Sequence, residues 1–131
     1  MNFKIGFIFV LLMMLSCKGE IEINAFTEIN SLEHYQDYVA DGVKLVLFHS
    51  PTCGLCDKQR EEIRVLFAEE QLLSVGFAQV NYLTLPEIFN LEGLNGFPNI
   101  LIYKNGELQH HLQGSNNSYH ALREKLLLLL Q

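Results

Sequence analysis

The cysteine pair in Cys53-Gly54-Leu55-Cys56 constrains this chain more than any other feature of its sequence. An apolar run from Val43 to Phe48 precedes the pair, and a helical pattern follows it from Asp57. Two thiols separated by two residues can close a disulfide within one helical turn. The unpaired N–H groups at the start of a helix also stabilise a thiolate. The motif therefore predicts a strand–helix junction that is suited to reversible thiol–disulfide exchange.

Length and charge limit the remaining possibilities. A chain of 131 residues is long enough for one domain with its own hydrophobic core. The formal net charge is −6, and the acidic residues are scattered along the chain. A surface that binds nucleic acid needs clustered basic residues. The charge pattern therefore argues against nucleic acid as a partner.

The first 16 residues have the pattern of a signal peptide. Lys4 is followed by an apolar run from Ile5 to Leu15, which is too short to span a bilayer comfortably. Ser16 directly before Cys17 resembles the lipobox of bacterial lipoproteins, although Met14 stands where that box usually has leucine. The resemblance implies that Cys17 is lipidated. Ordinary cleavage and an uncleaved anchor are the alternatives.

Lipidation of Cys17 also explains the odd number of cysteines. An exported protein with three cysteines has one left over, and a lipid on Cys17 would leave Cys53 and Cys56 as a single pair. The lipid would hold the domain at a membrane on the extracytoplasmic side, in the periplasm or at the cell surface. Residues 17–25 would then form the lipidated end and a short tether before a domain over 26–131.

Hydrophobic periodicity predicts an α/β domain, with a mixed sheet covered by helices on both faces. Ser31 is expected to cap a helix to about Ala40. Strands are predicted over 43–49, 75–81, 99–103 and 107–113, the last two joined by a turn at Asn105-Gly106. A helix is predicted over about 54–70, a short helix is capped by Thr84 with Pro86 in its first turn, and a last helix starts at Ser115 or Asn117. The charged residues of the helix over 54–70 are expected to be mostly solvated: Lys58, Arg60, Glu61, Glu62 and Arg64.

Three segments together resemble the thioredoxin family over roughly residues 25–131: the Cys53–Cys56 motif, Gly93 to Asn99, and Ile100 to Glu107. The resemblance implies a thioredoxin-like fold and thiol–disulfide oxidoreductase activity. It also implies that Cys53 is the exposed attacking thiolate and Cys56 the shielded resolving thiol. Pro98 would be a cis-proline beside the pair. Gly54, Leu55 and Phe97 would help to shape the substrate site.

The chain departs from the family pattern behind the cysteines. Leu47 stands where the family has a buried aspartate that is thought to take the proton of the resolving thiol, and Gln79 stands where it often has lysine. His49 and Thr52 replace tryptophans, and Leu55 replaces a proline. We therefore expect a site that still exchanges disulfides but in which Cys56 breaks the mixed disulfide more slowly. His49 could tune the thiolate or fill the space of the missing tryptophan.

The leading hypothesis is a membrane-tethered, monomeric thiol–disulfide oxidoreductase with no cofactor beyond its cysteine pair. Its partners would be protein thiols and disulfides, together with an unidentified electron donor or acceptor. Leu55 brings no charge between the cysteines, and the negative charge of Asp57 disfavours a nearby thiolate. Both residues favour a reductant of protein disulfides.

Three alternatives stay open. The disulfide could be purely structural, or the domain could be a non-catalytic module that binds peptides in a groove at Phe97 and Pro98. It could also carry copper or zinc, with His49, His110 or His111 as additional ligands. Tetrahedral zinc needs two ligands beyond the two thiolates, and neighbouring histidines on a strand point to opposite faces. No metal ligand is therefore predicted.

Overall fold

The computed structural model describes residues 25–131. The predicted signal peptide over 1–16, the predicted lipidation site at Cys17 and the predicted tether up to residue 24 lie outside the described residues. Within residues 25–131, no helix combines the length and the apolar character needed to cross a membrane.

Strands and helices alternate along the described chain. The strands are β1 (Phe26–Glu28), β2 (Val43–His49), β3 (Gly76–Asn81), β4 (Asn99–Lys104) and β5 (Glu107–Gln113), and the helices are α1 (Leu32–Val39), α2 (Gly54–Arg64), α3 (Pro86–Leu91) and α4 (Tyr119–Leu129). The sheet has the order β1-β3-β2-β4-β5. β3 runs parallel to β1 and β2, whereas β4 is antiparallel to β2 and β5. The predicted mixed α/β fold is confirmed.

The central strand β2 is buried on both faces, which explains its continuous apolar sequence. Val46 and Phe48 belong to one core, with residues of α1 and α3. Leu45 and Leu47 belong to a second core, with residues of α2 and α4. Because side chains alternate along a strand, His49 follows Leu47 on the face that α2 covers. The end of β2 and the beginning of α2 are thereby brought together.

The first helix and the hairpin agree with the predictions. Ser31 caps α1, since its side chain accepts a hydrogen bond from the backbone N–H of His34 over 3.0 Å. At the hairpin, Asn105 and Gly106 have φ angles of 50° and 83°, a left-handed conformation that asparagine and glycine tolerate best. Both elements therefore follow from local sequence chemistry.

The predicted extent of the second helix is wrong. α2 ends at Arg64 rather than near residue 70, and the chain continues as two short 3₁₀ turns, Val65–Ala68 and Glu70–Leu72. Leu66 and Leu72 are both fully buried in the second core. A continuous α-helix would place these two side chains about 120° apart around its axis. The tighter turns bring both into the same core.

Two predicted helix starts are also wrong. The residue before α3 is Leu85, and the hydroxyl of Thr84 donates instead to the carbonyl oxygen of Asn81. α4 is capped by Ser118, whose side chain accepts from the N–H of Ala121. Neither Ser115 nor Asn117 starts α4, because tertiary contacts hold this segment. Ser115 is buried, and Asn117 is bound through its backbone to Gln59 of α2. Pro86 lies in the first turn of α3, as predicted.

Strand β1 was not expected from the sequence. Its three residues pair in parallel with Phe77 to Gln79 of β3. A strand this short has too few residues for a recognisable alternating pattern. It brings Glu28 opposite Gln79.

Candidate active site

The two cysteines form a disulfide at the beginning of α2, with their Cα atoms 5.2 Å apart. Cys53 is the N-cap residue of α2, and its Sγ atom accepts a hydrogen bond from the N–H of Cys56 over 3.1 Å. Cys53 is partly exposed, whereas Cys56 is fully buried. The outer sulfur is therefore open to another thiol, and the inner one is shielded. The helix N-terminus favours a thiolate at Cys53 after reduction.

The loop before β4 lies at the end of the sheet where β2 leads to the cysteines. Phe48 of β2 pairs with Asn99, so the preceding Pro98 is placed beside the end of β2, the strand that leads to the cysteines. The Phe97–Pro98 peptide bond is cis. The N–H of Gly114 donates to the carbonyl oxygen of Pro98 over 2.9 Å, which ties this loop to the end of β5.

Apolar side chains surround this edge of the sheet. The ring of Phe97 lies 5.1 Å from that of Tyr82 and 5.6 Å from that of Phe89. Phe89 in turn contacts Phe48 of β2. Leu55, between the cysteines, is 57% exposed and offers apolar surface next to the disulfide. Beside it, Gly54 has open space at its Cβ position.

Uncharged side chains occupy the two positions, Leu47 and Gln79, that the sequence analysis singled out behind the cysteines. Leu47 is fully buried in the second core, so no carboxylate occupies its position. Its neighbour in β3 is Gln79. The side-chain oxygen of Gln79 accepts from Nε of Arg60 over 3.1 Å, and its amide nitrogen donates to Glu28.

The prediction that Arg60 is mostly solvated is wrong. Its side chain is 13% exposed and lies between α2 and the sheet. Besides contacting Gln79, the guanidinium lies 3.0 Å from Nδ1 of His49 and pairs with Asp57 over 2.6 Å. Arg60 follows Cys56 by one helical turn, a spacing that places both on one face of α2. That spacing is the signal in the sequence that could have revealed this contact.

His49 is held in a defined protonation state by this contact. A guanidinium has only donors, so Nδ1 of His49 accepts from Arg60 and the neutral ring carries its hydrogen on Nε2. The residue is 7% exposed, and its Nε2 atom has no hydrogen-bond partner in the part of the chain that the structure describes. Burial lowers the pKa of His49, and the charge of Arg60 lowers it further. The sequence singled out His49, but only the structure shows its partner.

The two histidines considered only as candidate metal ligands do not join the site. His110 and His111 lie on β5, separated from β2 by β4. Nε2 of His111 lies 2.9 Å from Oδ1 of Asn99, a buried residue that sequence reasoning missed. Among the described residues, no group of three or more histidine, cysteine, aspartate or glutamate side chains is arranged to hold a metal ion.

The sheet order and the disulfide at the start of α2 define a protein of the thioredoxin-like fold, and solved structures agree with this class. Thioredoxin from Trypanosoma brucei brucei superposes with a TM-score of 0.75 at 20% identity, covering 85% of this chain and 96% of that one. Thioredoxin from Malassezia sympodialis gives a TM-score of 0.71 at 19% identity, covering 82% and 93%. These similarities show the fold.

Residues 26–127 match the Thioredoxin family model, so the chain belongs to the thioredoxin family. A curated relative, the thioredoxin domain-containing protein 5 homolog of Drosophila melanogaster, is 28% identical over 95 residues. The match covers 69% of this chain and 23% of the relative, so the chain spans about a quarter of that protein's length. Family membership and the Cys53–Cys56 disulfide together support thiol–disulfide oxidoreductase chemistry. The family normally needs no cofactor, because its redox-active disulfide is the reactive centre.

Proposed function

We propose that this protein is a membrane-tethered, extracytoplasmic thiol–disulfide oxidoreductase that reduces protein disulfides. The observation that carries the chemistry is the Cys53–Cys56 disulfide at the N-terminus of α2, with the outer sulfur partly exposed and the inner one buried. The exported location and the lipid on Cys17 rest on the sequence of residues 1–17 alone.

The reaction begins with the reduced protein. The Cys53 thiolate attacks one sulfur of a substrate disulfide, whose S–S bond breaks and releases a substrate thiolate. A mixed disulfide between Cys53 and the substrate remains. Cys56 then loses its proton to water and attacks Sγ of Cys53. The Cys53–Cys56 disulfide forms, the second substrate thiolate leaves, and two electrons have passed to the substrate.

The apolar surface around the site suits an unfolded or extended substrate segment. Phe97, Tyr82 and the exposed Leu55 offer contacts without charge. The uncharged Leu55 also favours a reductant, since it does not stabilise the Cys53 thiolate. Asp57 supports this direction less than the sequence suggested, because Arg60 pairs with its carboxylate.

Reduction of insulin by the full-length protein, with dithiothreitol as electron donor, tests the proposed activity. We expect wild type to accelerate insulin precipitation and Cys53→Ser to abolish the acceleration. Cys56→Ser should accumulate mixed disulfides instead of turning over. Cys17→Ser is the matched control, because it removes a thiol outside the site and should keep full activity in this soluble assay. Full insulin reduction by Cys53→Ser would overturn the proposal.

Two further measurements test the direction and the location. Equilibration with glutathione buffers measures the reduction potential of the cysteine pair. In mixtures that are reducing enough to keep a strong oxidant in its dithiol form, a reductant should remain mostly as its disulfide. For the location, metabolic labelling with a radioactive fatty acid in a bacterial host should label wild type but not Cys17→Ser. An unlabelled, fully soluble wild-type protein would contradict the lipid anchor.

A further inference from the structure

The oxidised site contains a buried side-chain donor that makes no well-formed hydrogen bond within residues 25–131. Nε2 of His49 carries a hydrogen because Nδ1 accepts from Arg60, and no described atom accepts from Nε2. A buried N–H without an acceptor costs free energy. Such an atom requires an explanation, and its position at the end of β2 suggests one.

The position of the ring relative to the cysteines follows from α2. Cys56 and Arg60 lie one turn apart on the face of α2 that packs on the sheet, and both are largely removed from solvent. The ring of His49, on the end of β2, contacts Arg60 from below this face. The other ring nitrogen, Nε2, is buried as well, and Cys56 is the fully buried residue one turn before Arg60 on the same face of α2.

The sulfur of Cys56 is the atom that acquires charge during the reaction. In the disulfide it is neutral, but resolution requires a Cys56 thiolate in a site from which water is largely excluded. Leu47 provides no group to help its deprotonation. A thiolate in this space needs a hydrogen-bond donor or a nearby positive charge.

We propose that the Nε2–H of His49 donates a hydrogen bond to the Cys56 thiolate, and that Arg60 positions the ring and holds it in the required tautomer. This inference rests on the proposed function. It adds two residues to the second step of the reaction, in which Cys56 attacks Sγ of Cys53. Cys56 still releases its proton to water, and His49 neither gains nor loses one. His49 is then a catalytic residue through its contact with sulfur, and Arg60 is a positioning residue.

The charges around His49 agree with this assignment. On α2, Arg60 contacts the ring directly and Asp57 pairs with Arg60. On the sheet side, Glu28 of β1 binds the uncharged Gln79 of β3, which accepts from Arg60. The ring therefore faces one direct positive charge, whose own neighbours are a carboxylate and an amide.

The ionisation of Cys56 can be measured in the full-length protein with Cys17→Ser and Cys53→Ser, kept in detergent because of the apolar N-terminal run. Thiolate absorbance in the ultraviolet then reports the one remaining cysteine. With His49→Phe, we expect the Cys56 thiol to ionise about one pH unit higher, the size expected for a hydrogen bond to a charged group. His120→Phe replaces an exposed histidine on α4 and should leave the titration unchanged.

His49→Gln distinguishes a donated hydrogen bond from simple packing. A glutamine can accept from Arg60 with its oxygen and donate with its nitrogen. The Cys56 thiol of His49→Gln should therefore ionise within a few tenths of a pH unit of the Cys56 thiol in the protein that keeps His49. If His49→Gln and His49→Phe shift the titration equally, or if His49→Phe does not shift it, the proposal is overturned.

Arg60→Met provides a second route if His49→Phe does not fold, as judged by circular dichroism. Methionine keeps an apolar side chain but removes the donor to Nδ1. We expect the Cys56 thiol to ionise at higher pH in this variant, and an unchanged titration would overturn the proposal. The titration needs no turnover. A protein with a shifted titration but no insulin reduction would contradict the proposed function and leave this inference standing.

Discussion

Nε2 of His111 on β5 donates to Oδ1 of Asn99, the first residue of β4, over 2.9 Å. The amide nitrogen of Asn99 donates in turn to the carbonyl oxygen of Gly96 over 2.8 Å. One buried side chain therefore joins the hairpin to the loop that carries Pro98. The loop is thereby held by β5, which flanks β4 on the side away from β2.

Replacing Asn99 should loosen this loop. We expect Asn99→Leu to lower the free energy of unfolding by about 1–3 kcal/mol, because the hydrogen bonds of the buried Asn99 amide to Gly96 and His111 are lost. Insulin reduction should fall as well, since the Pro98 loop borders the site. The measurement is urea denaturation together with the activity assay.

His111→Phe is the matched control for Asn99→Leu. It removes the outer, exposed partner and leaves the contact between Asn99 and Gly96 in place, so its effect should be clearly smaller. Equal effects of the two variants would show that the contact with Gly96 contributes little.

The aromatic cluster under the site should contribute strongly to stability. Phe89 is 2% exposed and contacts Phe48, Tyr82 and Phe97. We expect Phe89→Ala to destabilise the fold by about 3–5 kcal/mol, the usual cost of emptying a buried phenylalanine site. Leu91→Ala, on the same helix but 57% exposed, should change stability by less than about 0.5 kcal/mol. Similar denaturation midpoints for the two variants would contradict this account.

Two glycines should respond differently to alanine. A Cβ atom on Gly76 would lie 2.6 Å from Oη of Tyr38 and 2.7 Å from Cδ of Lys44, whose ammonium group rests over the Tyr38 ring. We expect Gly76→Ala to cost about 1–3 kcal/mol, as overpacking usually does.

At Gly54, no described atom outside its chain neighbours and the backbone of its own helix lies within 4 Å of the added Cβ, and the residue is in the first turn of α2. Gly54→Ala should therefore be neutral or slightly stabilising, because alanine favours helix. Thermal melting of both proteins measures the difference. A larger loss of stability for Gly54→Ala than for Gly76→Ala would be inconsistent with the packing around these two residues.

The burial of His49 should make stability depend on pH. Burial and the charge of Arg60 lower its pKa in the folded protein below the ordinary value of 6.5. Between the folded and unfolded pKa values the unfolded chain binds more protons, so stability falls as pH decreases through this window. It is fully present above the unfolded pKa. We expect His49→Phe to weaken this dependence.

Urea denaturation of wild type and His49→Phe at several pH values, from about 7.5 down to 5, measures the contribution of His49 to the pH dependence of stability. His110, whose pKa is also lowered by burial and by Lys125, is present in both proteins and cancels in the comparison. Parallel stability curves for the two proteins would show that His49 does not titrate on unfolding.

Local sequence chemistry predicted the parts of the fold that depend on neighbouring residues. Ser31 caps α1 because its hydroxyl reaches an N–H three residues ahead, and the turn at Asn105-Gly106 follows from the backbone freedom of these residues. The end of α2 was not predictable in this way. It depends on how Leu66 and Leu72 enter a core that other elements build.

The sequence by itself determined the strand, the cysteine pair and the helix, because the motif and its apolar flanks lie within a few residues. Tertiary structure decided the surroundings of that pair. Arg60 has the sequence signature of a solvated helix face, since a long side chain can carry its charge either to water or to a buried partner. Only the packing of α2 on β2 and β3 selects His49 and Gln79 as its partners. That choice leaves the Nε2 donor of His49 buried without a hydrogen-bond partner among the described residues.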